Sequence, residues 1–366
     1  MLNVLNKISQ KHAPIGLDIG PDYVRMIQLG QPGGKVSVIA ADQFTLGCET
    51  DGDSQTAIAG AVEDMLARTP FSRTSVVSCL SNDFLKIKSL RLDVADPDNI
   101  EKMLAEEAAE RFDINPDRDE IRYLIAGSVH QAEEVKDEVI IFAAEKSVIA
   151  SHLQLLDDVG LDPIAMDVAP CALFRCLHRS LRRQEDEELV SVFVDVADSF
   201  TTVIIGRGRQ IAFVKQIPIA AKQLNTQVAE SLGITDEQAL NLRSKLKDGD
   251  DQIDPATRQG VIDAMHNVIE ELAKEVSLCF KYYSVTFRGQ RPQEAFFTGA
   301  EAYETALLNA LKRHLGVEIT IAQPLRGFDL SRTGLNMDKR NSMCEWALPV
   351  GLSIKGWNMA KDIKQA

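Results

Sequence analysis

Short apolar runs broken by Gly, Pro and Asp open the chain. Ile15-Gly-Leu-Asp-Ile-Gly20, residues 24–29 and residues 36–41 read as three strands, the last two joined by a Pro32-Gly33-Gly34 turn. A helix over 57–66 and a strand over 75–80 follow. Further on, Ile100, Leu104, Ala108 and Phe112 recur every four residues, which marks one helix face. Strands are expected at 121–124 and 139–143. Ser147 offers a cap for a helix with the stripe Ile149, Leu153, Leu156, stopped by Gly160. A strand at 164–168 and a helix from Pro170 to about Arg183 come next, then the acidic run Glu185-Asp-Glu-Glu188, read as a solvated linker.

The opening pattern then recurs. Val190, Val192, Val194 and Val196 alternate strictly, as a half-buried strand should. Strands at 201–205 and 210–216 follow, separated by a Gly206-Arg-Gly208 turn. Setting Asp18 on Asp195 superposes two strand–turn–strand–turn–strand units of one phasing, 177 residues apart, an internal duplication of architecture. A helix reaches from 217 to 232 and another starts at Thr235. Asp254-Pro255 is a cap with Pro at the first helical position. The long helix behind it carries Met265, Ile269, Leu272, Val276 and Phe280 on one face. A strand at 295–297 ends in Thr298-Gly-Ala300. A helix at 302–315, a strand at 318–322, a loop over 324–344 and a closing turn and helix from Trp346 to Trp357 complete the reading.

Composition narrows the function classes. The chain has 366 residues, 45% of them apolar, and a net charge of -14, which suits a globular protein and repels phosphate backbones and anionic lipid, so nucleic acid and a bare membrane surface are poor partners. No apolar run reaches the ~18 residues of a membrane span. Residues 84–146 hold 16 acidic and 9 basic residues, half of the whole imbalance. This stretch reads as an inserted α+β subdomain whose acidic face is either solvated or a dock for basic segments. The Cys residues show no paired metal-ligand spacing, and free thiols suit a reducing cytoplasm. Leu2, Leu5 and Ile8 form a short apolar stripe, read as a docked terminal turn or a peripheral contact.

An acid at a hairpin turn in each half makes physical sense as a phosphate clamp. Turn N–H groups can face phosphate oxygens, and a carboxylate can hold water on Mg²⁺. Asp18 and Asp195 are the candidates, via water to Mg, and each also reads as a plain turn residue. A Gly-containing turn opening a helix, Gly299-Ala300, can lie under an adenosine.

These residues carry a resemblance. Ile15-Gly-Leu-Asp-Ile-Gly20, Val194-Asp-Val-Ala-Asp-Ser199, Ile217-Pro-Ile219, Asp167-Val-Ala-Pro-Cys-Ala172 and Trp346-Ala-Leu-Pro-Val-Gly-Leu352 resemble the actin, Hsp70 and sugar-kinase superfamily. Within it, the chain most resembles the PilM family of type IV pilus assembly, relatives of FtsA, which carry a distinctive subdomain where 84–146 falls. The resemblance implies an α/β fold of duplicated actin-like (RNase H-like) lobes: 13–83 plus 147–186 as the first lobe, 84–146 inserted in it, 190–232 plus 292–360 as the second lobe, and 233–291 as a helical subdomain of the second. It implies a cytoplasmic adaptor, peripheral to the inner membrane through partners, that binds the N-terminal tail of a PilN-like inner-membrane protein, connects to pilus motor ATPases, and holds ATP and Mg between its lobes. Homo-oligomers are compatible with it. The implied nucleotide contacts are Asp18, Gly20, Asp22, Tyr23, Asp195, Ala197, Asp198, Ser199, Thr201, Arg243, Gly299 and Ala300.

The chain departs from the family pattern in each nucleotide segment. Pro21-Asp22 stands where Ser or Thr follows the second Gly, and Pro21 has no N–H to offer. Ala197 replaces a Gly. Leu240 and Arg243 stand where relatives carry a Glu and a Lys, and Arg243 itself reads as a solvated surface residue. One Gly stands at the adenosine turn. Retained, weakened and lost ATP binding all stay open, and turnover is not expected, since no side chain reads as a base that positions water. An FtsA-like filament scaffold and a sugar-kinase-like phosphotransferase are the alternatives.

Overall fold

The computed structural model describes residues 12–46, 54–92, 100–131, 134–179, 189–249, 253–287, 294–333 and 343–362, with 292 and 335. The stripe Leu2, Leu5, Ile8, the run Glu185–Glu188, Cys48 and most of the second half of the 324–344 loop lie outside them.

The two hairpin units do form two sheets of the same design. The first consists of β1 (His12–Ile19), β2 (Tyr23–Gly30), β3 (Ser37–Thr45), β4 (Ser75–Cys79) and β8 (Asp162–Asp167), in the order β3-β2-β1-β4-β8. The second consists of β9 (Val190–Val196), β10 (Thr201–Arg207), β11 (Gln210–Ile217), β12 (Glu294–Thr298) and β13 (Glu318–Ile321), in the order β11-β10-β9-β12-β13. In each, three strands run antiparallel and two join parallel after crossovers. The valine strand corrects one expectation. Ser191 and Phe193, on the face opposite the valines, are buried too. Phe193 packs edge-on against Phe174 and stacks on Phe296, so β9 is central and covered on both sides.

Helices fill the crossovers. The first lobe uses α1 (Ser54–Arg68), α3 (Lys146–Asp158) and α4 (Ala169–His178). Ser147 does not cap α3; its hydroxyl donates to Glu145 Oε1 at 2.5 Å, while Glu145 stands at the cap position. The second lobe uses α5 (Ala221–Leu232), α6 (Asp236–Lys247), α7 (Pro255–Phe287) and α8 (Thr305–Leu315). Thr235 and Gln238 form a reciprocal capping box at α6, and Asp254 accepts from Thr257 N at 2.9 Å at α7. The α7 stripe Met265, Ile269, Leu272, Val276 and Phe280 belongs to one core with Val192, Val194 and Phe297.

The insertion is α2 (Ile100–Phe112) against a sheet of β5 (Lys86–Leu92), β6 (Asp119–Gln131) and β7 (Glu134–Glu145), in the order β5-β7-β6. Leu104 and Ala108 of α2 share a core with Leu90, Val139 and Ile141 of the sheet, whereas Ile140 and Phe142 on the other face join a central cluster with Leu173, Phe193 and Trp346.

A last helix, α9 (Ala347–Asp362), returns to the first lobe. Its approach demands glycine. A Cβ on Gly16 would lie 2.0 Å from the Pro349 carbonyl oxygen, and one on Gly351 would lie 1.9 Å from that of Ala172. Ser353 Oγ donates to the Pro14 carbonyl at 2.8 Å. None of the helices in the described residues is long and apolar enough to cross a membrane.

Candidate functional site

The two acid-bearing strands face each other across the cleft between the sheets. Hairpin register sets their partners: Asp18 lies opposite Arg25 on β2, and Asp195 opposite Thr202 on β10. Asp18 is 4% exposed. Burial pushes its carboxyl up to about 6, against the pull of Arg25 and a hydrogen bond from Tyr23. Asp195 keeps some solvent contact at the cleft, yet burial and the neighbouring Asp18 push it up to about 7 against Arg25. These are two mutually repelling acids sharing one guanidinium.

The first loop is filled by its own side chains. Gly20 N donates to the Tyr23 carbonyl at 2.9 Å, closing the turn. The Tyr23 ring lies over Gly20, where an added Cβ would come within 2.4 Å of it. Arg25 stacks on that ring with Cζ 3.6 Å from the centroid, and its Nη1 is 4.0 Å from Asp18 Oδ2. In the second loop, Ala197 N donates to the Phe200 carbonyl, so both turns spend an amide internally. Asp198 lies near Asp22 and Asp83; burial, above all, and then these acids raise its carboxyl, while Ser199 and Lys222 pull it down. Gly299 holds φ 85° and would place a Cβ 2.6 Å from the Val196 carbonyl oxygen and 2.9 Å from Asp195 Oδ1. Glycine there lets β12 reach the acid.

Asp18, Gly20, Asp22, Tyr23, Asp195, Ala197, Asp198, Ser199, Gly299 and Ala300 line this one cleft, whose cavity volume is about 220 Å³. Small-molecule pockets run from about 300 to 1,000 Å³, so a nucleotide would require side chains or lobes to move. Two expected contacts lie elsewhere. The Thr201 hydroxyl is buried and donates to the Ile219 carbonyl at 2.6 Å. Arg243 is 0% exposed, the reverse of a surface residue. It donates to Glu301 Oε2 and Asn225 Oδ1, both at 2.5 Å, and Lys247 Nζ donates to Glu301 Oε1 at 2.8 Å. Burial raises the Glu301 carboxyl, but the two cations outweigh it and hold it below its usual range. Leu240 and Lys247, one turn to either side of Arg243, reach the cleft instead.

Arg25, Lys247 and Glu301 were not among the expected site residues. Arg25 had a signal, since a hairpin pairing 19 with 24 must set 18 against 25. Glu301 meets Arg243 across 58 residues and had none. The described residues hold no cluster of three or more His, Cys, Asp or Glu able to hold a metal ion.

A second cavity, of about 450 Å³, runs between the insertion and the first lobe. Leu85 and Phe142 are largely buried at its base, Leu124 and Ile149 are partly exposed, and Glu120, Arg122 and Lys355 supply polar groups. Lys355 Nζ lies 3.1 Å from Asp167 Oδ1, tying α9 to the groove wall.

The family described as Type IV pilus assembly protein PilM matches residues 16–357. No curated protein matches the chain in sequence. Among solved structures, a chain of a PilM-PilN type IV pilus biogenesis complex is similar at TM-score 0.78 and 19% identity, covering 94% of this chain and 98% of that one. The ethanolamine utilization protein EutJ from Carboxydothermus hydrogenoformans is similar at TM-score 0.54 and 15% identity, over 96% of each chain. MreB5 of Spiroplasma citri bound to AMPPNP is similar at TM-score 0.50 and 8% identity, over 97% and 98%. The duplicated lobes are therefore of the actin-like fold, and the chain belongs to the PilM family of type IV pilus assembly proteins.

Proposed function

We propose that this protein is a cytoplasmic adaptor of type IV pilus assembly, whose groove between the insertion and the first lobe receives the extended N-terminal tail of a PilN-like inner-membrane protein. The observation that carries the reading is that groove: an apolar base of Leu85 and Phe142, partly exposed Leu124 and Ile149, and charged walls. Such a lining suits a short extended segment that alternates apolar side chains with backbone polar groups. Membership of the PilM family and likeness to a chain solved in a PilM-PilN complex support it. The insertion's acidic surface offers a complementary field to basic segments of motor ATPases.

Nucleotide binding in the cleft is the second part of this reading. The paired hairpins and Gly299 support it, and the narrow cavity and occupied first loop limit its affinity. Hydrolysis is no part of the proposed role.

The test is titration of a synthetic PilN-type N-terminal peptide, followed by calorimetry. Leu124→Asp and Ile149→Asp place an unpaired charge on an apolar contact and are expected to weaken binding by at least about tenfold. Binding that survives both substitutions unchanged refutes the groove.

A further inference from the structure

The side chain that faces Asp18 across its hairpin is a cation, and its counterpart in the second half is not. Asp18 pairs with Arg25, whereas Asp195 pairs with Thr202. The duplication therefore delivers two acids and one guanidinium to a single cleft. Arg25 is 9% exposed and lines that cleft. It is held in place from behind: Nε donates to Gln43 Oε1 at 2.8 Å, Nη1 reaches the Glu345 carbonyl at 3.5 Å, and the plane rests on Tyr23. Nη2 donates to none of the described residues.

This arrangement fits a divalent metal poorly. A cation placed beside Asp18 would meet a fixed positive charge whose Nη1 is already 4.0 Å from the carboxylate. It suits an oxyanion better, because a guanidinium presents planar paired donors that match phosphate oxygens. Pro21 has no N–H for that task, and the Gly20 and Ala197 amides are used within their own turns.

We propose that Arg25 is the counter-cation of the paired acids, Lys247 at the cleft wall being engaged with Glu301, so that a nucleoside di- or triphosphate is held on the Arg25 guanidinium without a divalent metal. The proposal rests on the nucleotide part of the function given above. Tyr23 sets the guanidinium at the right depth, and Asp18 holds it there until phosphate competes for the same donors. The rim acids Asp22, Asp83 and Asp198 oppose the incoming phosphates, which makes Arg25 the residue on which affinity turns.

The experiment is calorimetric titration of ATP and of ADP into the full chain, with Mg²⁺ or with EDTA, for the wild type, Arg25→Ala and Arg25→Lys. Thermal unfolding of each variant without ligand confirms that it is folded. The wild type is expected to bind with affinities within about threefold of each other in Mg²⁺ and EDTA. Arg25→Ala is expected to lose at least about tenfold, the scale of one charge-assisted hydrogen bond, and to make any residual binding depend on Mg²⁺. Arg25→Lys, which keeps the charge without the fork, should fall between. Wild-type binding that requires Mg²⁺, or an unchanged affinity in folded Arg25→Ala, overturns the proposal and leaves nucleotide binding standing. Absence of binding in every condition overturns both.

Discussion

Replacing Asp195 by Asn should make the protein more stable at pH 8 and leave it nearly unchanged at pH 5. Burial and Asp18 push the Asp195 carboxyl from 3.8 up to about 7. A folded-state pKa above the unfolded one means that the folded state holds the proton more tightly. The penalty is therefore absent below about pH 4, grows as pH rises, and is complete above pH 7. At ~1.36 kcal/mol per pH unit it reaches roughly 4 kcal/mol, an upper figure because the cleft admits some solvent and the two acids titrate together. Burying an amide that fits less well returns about 1–2 kcal/mol, which leaves a gain of about 2 kcal/mol. An unfolding entropy of about 2.1 cal/mol/K per residue amounts to ~0.8 kcal/mol/K here, so Tm should rise by about 3 °C at pH 8. Differential scanning calorimetry in low-salt buffers at pH 5 and pH 8 reads both values. Equal shifts at the two pH values, or a fall at pH 8, would refute the electrostatic account of the cleft.

Arg243→Met should cost about 3–5 kcal/mol, because it strands the buried Glu301 with Lys247 alone. Adding Glu301→Gln should recover part of that loss in the denaturant midpoint, since the two residues act as a pair. Gly351→Ala should cost about 3 kcal/mol or abolish soluble expression, because its Cβ would overlap the Ala172 carbonyl; an unchanged midpoint contradicts that packing. Gly299→Ala adds a side chain at φ 85° against Asp195. It should weaken nucleotide binding in calorimetry while leaving peptide binding intact.

What the sequence disclosed was mostly local. The strands of the two hairpin units stand out because their partners are adjacent in the chain and their turns are marked by Gly, Pro and Asp. β5 was missed for a physical reason: Ile87 joins the central cluster and Leu90 the core under α2, so both faces are covered and no single alternation survives. β6 and β7 ran longer than expected, past a register shift at Gly127, where φ is 130°. Most of the expected nucleotide contacts do converge, because hairpin turns and the β12 exit all lie at the same end of the two sheets. Arg243 went the other way. Its helix is polar enough to suggest a surface, and its counter-charge comes from a turn far along the chain.

Helix α9 also has a consequence for how the molecule is made. The first lobe contains the earliest strands, yet β1 is sealed by Ser353 through a bond spanning 339 residues. Gly16, on that strand, is shaped to receive the same helix. A chain emerging from a ribosome would thus hold β1 and β2 with one face bare until α9 has been made. The first strands made wait for the last helix described, and that exposed face is where a chaperone would have most to protect.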